Sequence, residues 1–259
     1  MSHHSPFRAA ACSAAFACAL AFSPGVLGAD DDALKARLEA AMASDIRSDA
    51  EKARDGNRKP IETLQFFGLE PDMRVLELLP GGGWYTKLLA PALAADGELF
   101  VAIGTDRVKS LVEDGTLEGV SVVDIDGEFV RDEGERRFRL EGLRIPVENI
   151  DLALTFRNMH NFTEEGRAGL NAEVFRVLKP GGLYGVVDHT RRHMQADYYE
   201  NWRRMDPVQM IKEVEAAGFE FVDYSTLHYR PDDELLYEVG RASVTGNTDR
   251  FTLLFRKPE

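Results

Sequence analysis

Residues 75–86 read Val-Leu-Glu-Leu-Leu-Pro-Gly-Gly-Gly-Trp-Tyr-Thr, a short apolar run that passes through three consecutive glycines into residues able to open a helix. Glycine has no Cβ, so it takes positive φ without strain and lets backbone N–H groups approach a ligand closely. A helix starting just beyond adds a partial positive charge at its N-terminus, which favours an anionic group. The stretch therefore predicts a strand, a tight ligand-binding bend and a helix. The Glu77 carboxylate, at the carboxyl end of the strand, is placed to bind an amine on the same ligand. Spacing disfavours two ligand classes. A dinucleotide bend reads Gly-x-Gly-x-x-Gly, and Gly81 and Gly83 fill its first two positions while Thr86 stands at the third. A phosphate-gripping P-loop needs a Gly-Lys-Ser/Thr ending, which is missing although Lys87 follows closely.

Composition bounds what can surround this bend. The 259 residues, 44% of them hydrophobic, suffice for one substantial α/β domain plus an extension. Residues 1–8 are weakly basic, 9–22 are apolar, and 23–29 contain Pro24 and Gly25 and end in small residues. This is the layout of a cleavable secretory signal, its apolar core shorter than the roughly 20 residues of a membrane span. Cleavage is expected after Gly28 or Ala29, which implies a periplasmic or secreted chain. Cys12 and Cys18 both lie in that leader, so the mature chain has no disulfide, thiolate nucleophile or cysteine metal site. Loss of residues 1–29 removes Arg8 and no acid, leaving 30 basic against 44 acidic residues and a net charge of −14. So acidic a body repels phosphate backbones and anionic lipid, so neither nucleic acid nor a stable membrane anchor is expected as a partner.

Downstream of the leader, residues 30–58 predict one or two helices, with Leu34, Leu38 and Met42 at helical spacing and Asp55-Gly56-Asn57 as a stop. Their charged cluster, Arg47, Asp49, Arg54, Asp55, Arg58 and Lys59, reads as a solvated face, with a lid over the ligand as the alternative. Pro60 begins a short helix that ends at Gly68. From there strands at 74–79, 98–103, 120–125, 150–156 and 183–188 alternate with helices at 84–94, 108–112 and 163–178, the order of a doubly wound parallel sheet. Residues 129–140 form a charged hairpin where another helix would be expected. A helix at 207–217 and strands at 219–225 and 250–256 complete the chain. The divisions are a leader at 1–29, a helical extension at 30–67 and the main domain at 68–259.

The bend resembles motif I of the class I methyltransferases that use S-adenosylmethionine, acidic-x-Gly-x-Gly-x-Gly, with Glu77, Gly81 and Gly83 on the pattern and Leu79 in place of its first glycine. Leu178-Lys179-Pro180-Gly181-Gly182 before a strand is a landmark of the same family, and the strand ending in Phe255-Arg256-Lys257-Pro258 suits its antiparallel seventh strand. The runs at 80–86, 155–162, 186–189 and 246–251 are similar to a bacterial group of predicted methyltransferases that often carry export signals. The resemblance implies a Rossmann-like α/β fold, a mostly parallel seven-stranded sheet with an antiparallel last strand. It also implies S-adenosylmethionine as cofactor and a small-molecule acceptor.

Ligands of such a sheet bind outside the carboxyl ends of the strands, at the switch in strand order. That rule gathers Glu77 and Gly81, Gly82 and Gly83 after one strand, with Arg157, Asn158 and His160 after another and Asp188 and His189 after the next. His160 and His189 are candidate general bases for an acceptor that must lose a proton. Asn158 is a candidate hydrogen-bond donor to cofactor. The resemblance also calls for a ribose-binding acid after the strand at 98–103, where the chain reads Ile103-Gly104-Thr105 and the nearest acid is Asp106. Asp124 is the candidate for the adenine amino group. No metal is expected, because Asp188 and His189 are strand neighbours that face opposite ways. Leu79, Ile103 and the leader keep a second reading open, a non-catalytic exported binding protein on the same fold.

Overall fold

The structure is a computed structural model that describes residue 1 and residues 27–259, with side chains from residue 32 onward. The leader expected at 1–29 therefore falls almost wholly outside the described residues. Helix α1 (Leu27–Ala43) is followed by two single-turn helices, α2 (Asp49–Lys52) and α3 (Asp55–Arg58), and by α4 (Pro60–Phe66). The expected one or two helices are thus three pieces. Ser48 caps α2 through a reciprocal bond with Glu51, and Lys59 at φ 41° separates α3 from α4, where Pro60 takes the first helical position.

The main domain runs β1 (Arg74–Leu78), α5 (Thr86–Leu93), β2 (Glu98–Ala102), α6 (Asp106–Glu113) and β3 (Val120–Val123). An antiparallel hairpin, β4 (Asp126–Val130) and β5 (Arg139–Arg144), stands where the charged sequence placed one. Then follow β6 (Ile150–Phe156), a 3-10 turn at Met159–Asn161, α7 (Glu164–Val177), β7 (Leu178–His189), α8 (Pro207–Ala216), β8 (Glu220–Ser225) and β9 (Arg250–Arg256). The seven-stranded sheet has the order β3-β2-β1-β6-β7-β9-β8, with β9 antiparallel to both neighbours and the strands from β3 to β7 parallel. This is the mixed α/β sheet expected from the sequence. One difference is local: Lys179-Pro180-Gly181-Gly182 lies within β7 as a register shift against β6, between the Ile150–Leu178 and Leu152–Leu183 pairs.

Two apolar layers sandwich the sheet. Leu76 and Leu78 of β1 join Leu170 and Val174 of α7 and Met210 and Val214 of α8 on one face. Val75 faces the other way, toward Leu34 and Leu38 of α1, Leu64 of α4 and Leu88 of α5. The helical extension is therefore part of a core layer. Glu77 shares the face of Val75, because side chains alternate along a strand, and this puts a carboxylate beneath the start of α5. Strand order reverses between β1 and β6, so their carboxyl ends open a crevice.

Candidate active site

Two cavities meet at that crevice. The first, of about 260 Å3, lies over the bend after β1 and is walled by Glu77, Gly81, Gly82, Tyr85, Arg107 and Asn158. A Cβ added at Gly81 or Gly82 would meet nothing within 4 Å, so both backbones stand open to a ligand. Gly83 differs: its Cβ would lie 3.2 Å from Val108 Cγ2, and its φ of 76° suits glycine, so it serves the packing of α6 against the bend. Leu79, in place of the resemblance's first glycine, still adopts a left-handed φ of 52°. Its N–H donates to Ala102 O at 2.9 Å, and its carbonyl accepts from Asn158 Nδ2 at 3.3 Å. Ile103 and Arg157, just past β2 and β6, are left-handed as well. Such residues cost roughly 1–2 kcal/mol each, and strain of this kind gathers at functional sites.

Glu77 is buried, and its Oε2 accepts from Thr86 Oγ1 at 2.6 Å. Burial pushes its carboxyl up to about 7, against the pull of Thr86 and Arg58. A cationic group of a ligand would restore the charged form. Asn158 Nδ2 also donates to Leu78 O and to Thr155 Oγ1, which ties the ends of β1 and β6 together. Tyr85 stacks on Phe156 with ring centroids 3.5 Å apart, and Trp84 meets Tyr85 edge-on. The Arg58 guanidinium lies 4.2 Å from the Trp84 ring centroid. The solvated face expected for the cluster at 47–59 holds at Asp49 and Arg54, which are exposed, and fails at two positions: Arg47 is 2% exposed and bound to Asp55, and Arg58 is 4% exposed. Glu51, Arg54 and Arg58 wall the first cavity, as the lid alternative required.

Arg54, Arg58 and Arg157 also border the second cavity, of about 470 Å3, which contains His160, His189, Thr248 and Arg250. Asp188, fully buried at the end of β7, fixes the turn after β6: its Oδ2 accepts from the His160 backbone N–H at 3.0 Å and its Oδ1 lies 2.7 Å from His160 Nδ1. A carboxylate only accepts, so Nδ1 carries a proton, and in the neutral tautomer the lone pair lies on Nε2. That arrangement positions an imidazole as a proton acceptor. His189 has its Nδ1 2.9 Å from Thr248 Oγ1. Burial, then the neighbouring His160 and the guanidinium groups of Arg157, Arg250 and Arg204, holds it well below the ordinary histidine range and so neutral. The two imidazole centroids are 5.8 Å apart.

The structure thus brings Glu77, Gly81, Gly82 and Asn158 to one cavity and His160 and His189 to the other. Asp106 opens α6 and Asp124 follows β3; both are exposed and neither walls either of these two cavities. Arg107 lines the first cavity in their stead. Sequence reasoning gave no role to Thr248 and Arg250, although the run at 246–251 had been singled out, and it named Arg58 only within the charged cluster. Among the described residues, no group of three or more His, Cys, Asp or Glu is arranged to hold a metal.

No protein-family model and no curated protein matches the chain. Several solved structures do. A SAM-dependent methyltransferase from Aquifex aeolicus superposes with a TM-score of 0.54 at 17% identity, covering 79% of this chain and 92% of that one. The [4+2]-cyclase SpnF gives 0.55 at 18% identity over 87% and 93%. Human N-acetylserotonin methyltransferase, in complex with SAM, gives 0.52 at 15% identity over 91% of this chain and 60% of that protein. The chain has the class I methyltransferase fold. A cyclase among these structures means that the reaction must be argued from the site.

Proposed function

We propose that the chain is an S-adenosylmethionine-dependent methyltransferase acting on a small-molecule acceptor, with the cofactor over the glycine bend and the acceptor in the histidine cavity. One observation carries this reading: a buried carboxylate beside open glycines and an Asp188-fixed histidine occupy two cavities that share Arg58 and Arg157. The residues fit the amino-acid end of the cofactor. Glu77 would take its ammonium group, the backbones of Gly81 and Gly82 allow close approach, and Asn158 holds the bend in shape. When bound, the cofactor supplies a sulfonium-activated methyl carbon that needs no covalent help from the protein. His160 Nε2 takes the proton that the acceptor loses, and the cavity walls hold the acceptor atom in line with the methyl.

The ribose end fits less well. No carboxylate follows β2 on the cavity wall, and Ile103 is buried in the core. Buried ribose hydroxyls without partners would cost about 1–3 kcal/mol each. This observation favours the second reading, a binding protein without catalysis. Calorimetry with S-adenosylmethionine, its demethylated product and NAD separates the possibilities. Saturable binding of the first two, with none for NAD, is the expected result; no binding at millimolar concentration ends the methyltransferase assignment. We place the mature protein outside the cytoplasm on the strength of its leader-like residues 1–29. Fractionation of cells that produce the full chain checks this, and a cytoplasmic chain of undiminished mass would refute it.

A further inference from the structure

Six arginines are buried among the described residues: Arg47, Arg58, Arg167, Arg191, Arg204 and Arg250. Four of them meet a carboxylate. Arg47 pairs with Asp55, Arg167 with Glu213, Arg191 with Asp197, and Arg204 with both oxygens of Asp233. Arg58 and Arg250 pair with none, and they are the two that border the histidine cavity. The Arg58 guanidinium lies 4.2 Å from the Trp84 ring centroid and 5.9 Å from that of Tyr85, and that of Arg250 donates to two backbone carbonyls, Asn57 O at 2.8 Å and Thr248 O at 3.4 Å. Arg157 joins them on the same wall with neither a hydrogen bond from its guanidinium nor an ion pair. Burying a charge without a counter-charge is costly, and a protein of net charge −13 has carboxylates to spare. None of those carboxylates forms an ion pair with these three guanidinium groups; Glu77, Asp188 and Asp249 act on them only from beyond contact distance.

We infer that the acceptor is a small molecule bearing an oxyanion group, carboxylate or phosphate, which Arg157 and Arg250 hold within the histidine cavity. The inference rests on the reading of this cavity as the acceptor site. Burial and the neighbouring Arg157 lower the Arg58 guanidinium to about 9 and that of Arg250 to about 10, the direction that mutually repelling cations without a contacting carboxylate take, with Asp249 offsetting only part of the effect at Arg250. Both stay charged at neutral pH. The cofactor cannot settle the imbalance, since its one carboxylate comes with an ammonium and a sulfonium. Arg58, shared by both cavities, can serve that carboxylate, whereas Arg250 borders only the acceptor side. Guanidinium groups bind planar carboxylates and phosphates through paired hydrogen bonds, and a second anionic group on the acceptor would use the rest of the cluster.

The test is calorimetry on the purified chain with inorganic phosphate and with malonate, each against chloride at matched ionic strength, with and without S-adenosylhomocysteine. At least one probe is expected to bind saturably, and which one identifies the oxyanion. Arg250→Gln and Arg157→Gln should each weaken that binding by about tenfold or more, the ordinary effect of removing a charge-assisted hydrogen bond. If Arg250→Gln does not fold by circular dichroism, Arg157→Gln carries the comparison, because its guanidinium bonds to nothing in the protein. Failure of both probes at millimolar concentration, or undiminished binding in the folded variants, overturns the inference. Binding of S-adenosylhomocysteine without either probe defeats this inference alone. Binding of a probe without S-adenosylhomocysteine leaves the oxyanion site standing and defeats the methyl-transfer reading.

Discussion

The two cavities that meet at Arg58 and Arg157 are built in opposite ways. Half of the residues that wall the glycine cavity come from one continuous stretch, Glu77 to Tyr85, and the side chain of that stretch that can carry charge there is a carboxylate, Glu77. The histidine cavity draws on residues from 54–58, 157–161, His189, Arg203 and 239–250, and its charge is guanidinium. A local stretch fixes backbone shape, which suits a ligand common to many proteins of a fold. A site gathered from distant segments changes one side chain at a time, which suits a ligand peculiar to this chain. The difference predicts that substitutions on the two sides separate cofactor binding from acceptor chemistry.

The largest effect belongs to His160. His160→Ala should lower turnover by about a hundredfold or more, the usual contribution of a positioned base, with cofactor affinity unchanged. Single-turnover assays on any acceptor methylated by the native chain check this, and equal loss of cofactor binding would erase the proposed division. Next come the glycines. Gly82→Val projects a side chain into open space at a bend that needs no positive φ there, so it should reduce S-adenosylhomocysteine affinity by about a hundredfold with little change in Tm. Gly83→Val should instead lower Tm, because its Cβ meets Val108 and its φ is 76°. Reversal of that pattern in thermal melts and titrations would show that the ligand is not over Gly82.

Glu77→Gln should weaken cofactor binding by about tenfold to a hundredfold through loss of a charge-assisted bond. It should also change how stability depends on pH. The Glu77 carboxyl is raised to about 7 by burial, so its contribution is fully present below about 4.5 and is lost as pH rises to 7. His228 acts in the opposite sense. Burial lowers it to about 4, so its contribution is present above 6.5 and is lost as pH falls to 4. Each is worth about 3 kcal/mol, and between pH 4 and 7 they oppose one another. Urea unfolding of Glu77→Gln at pH 5 and pH 8 should therefore show a steeper acid loss than the native chain. Identical slopes would mean that Glu77 is already ionised.

The sheet was legible because hydrophobic runs and breakers alternate along the chain, and nearly every element lies within a few residues of its expected place. The glycine bend was legible for the same local reason. Leu79 marks where such reasoning misleads: a side chain in a glycine position does not show that the bend has changed, because hydrogen bonds with Ala102 of β2 and with Asn158, just past β6, hold Leu79 at positive φ. Arg58 and Arg250 were not legible. A charged residue in a helix, like Arg58, or at the start of a strand, like Arg250, usually faces water, and only the tertiary path reveals that no carboxylate forms an ion pair with these two. The Asp188–His160 pair lay between: both residues were singled out, but their hydrogen bond depends on β6 and β7 being neighbours.

Near the histidine cavity the two ends of the described chain are stitched together. Arg250 reaches the Asn57 carbonyl across 193 positions, and the His228 imidazole donates to the Arg58 carbonyl. Strand β9, which carries Arg250, also lies between β7 and β8 in the sheet. A chain still emerging from a ribosome can form the glycine bend long before it owns this seam. Under the proposed function, competence for the acceptor therefore arrives last in synthesis, and a product cut short before residue 250 would carry half a site and no reaction.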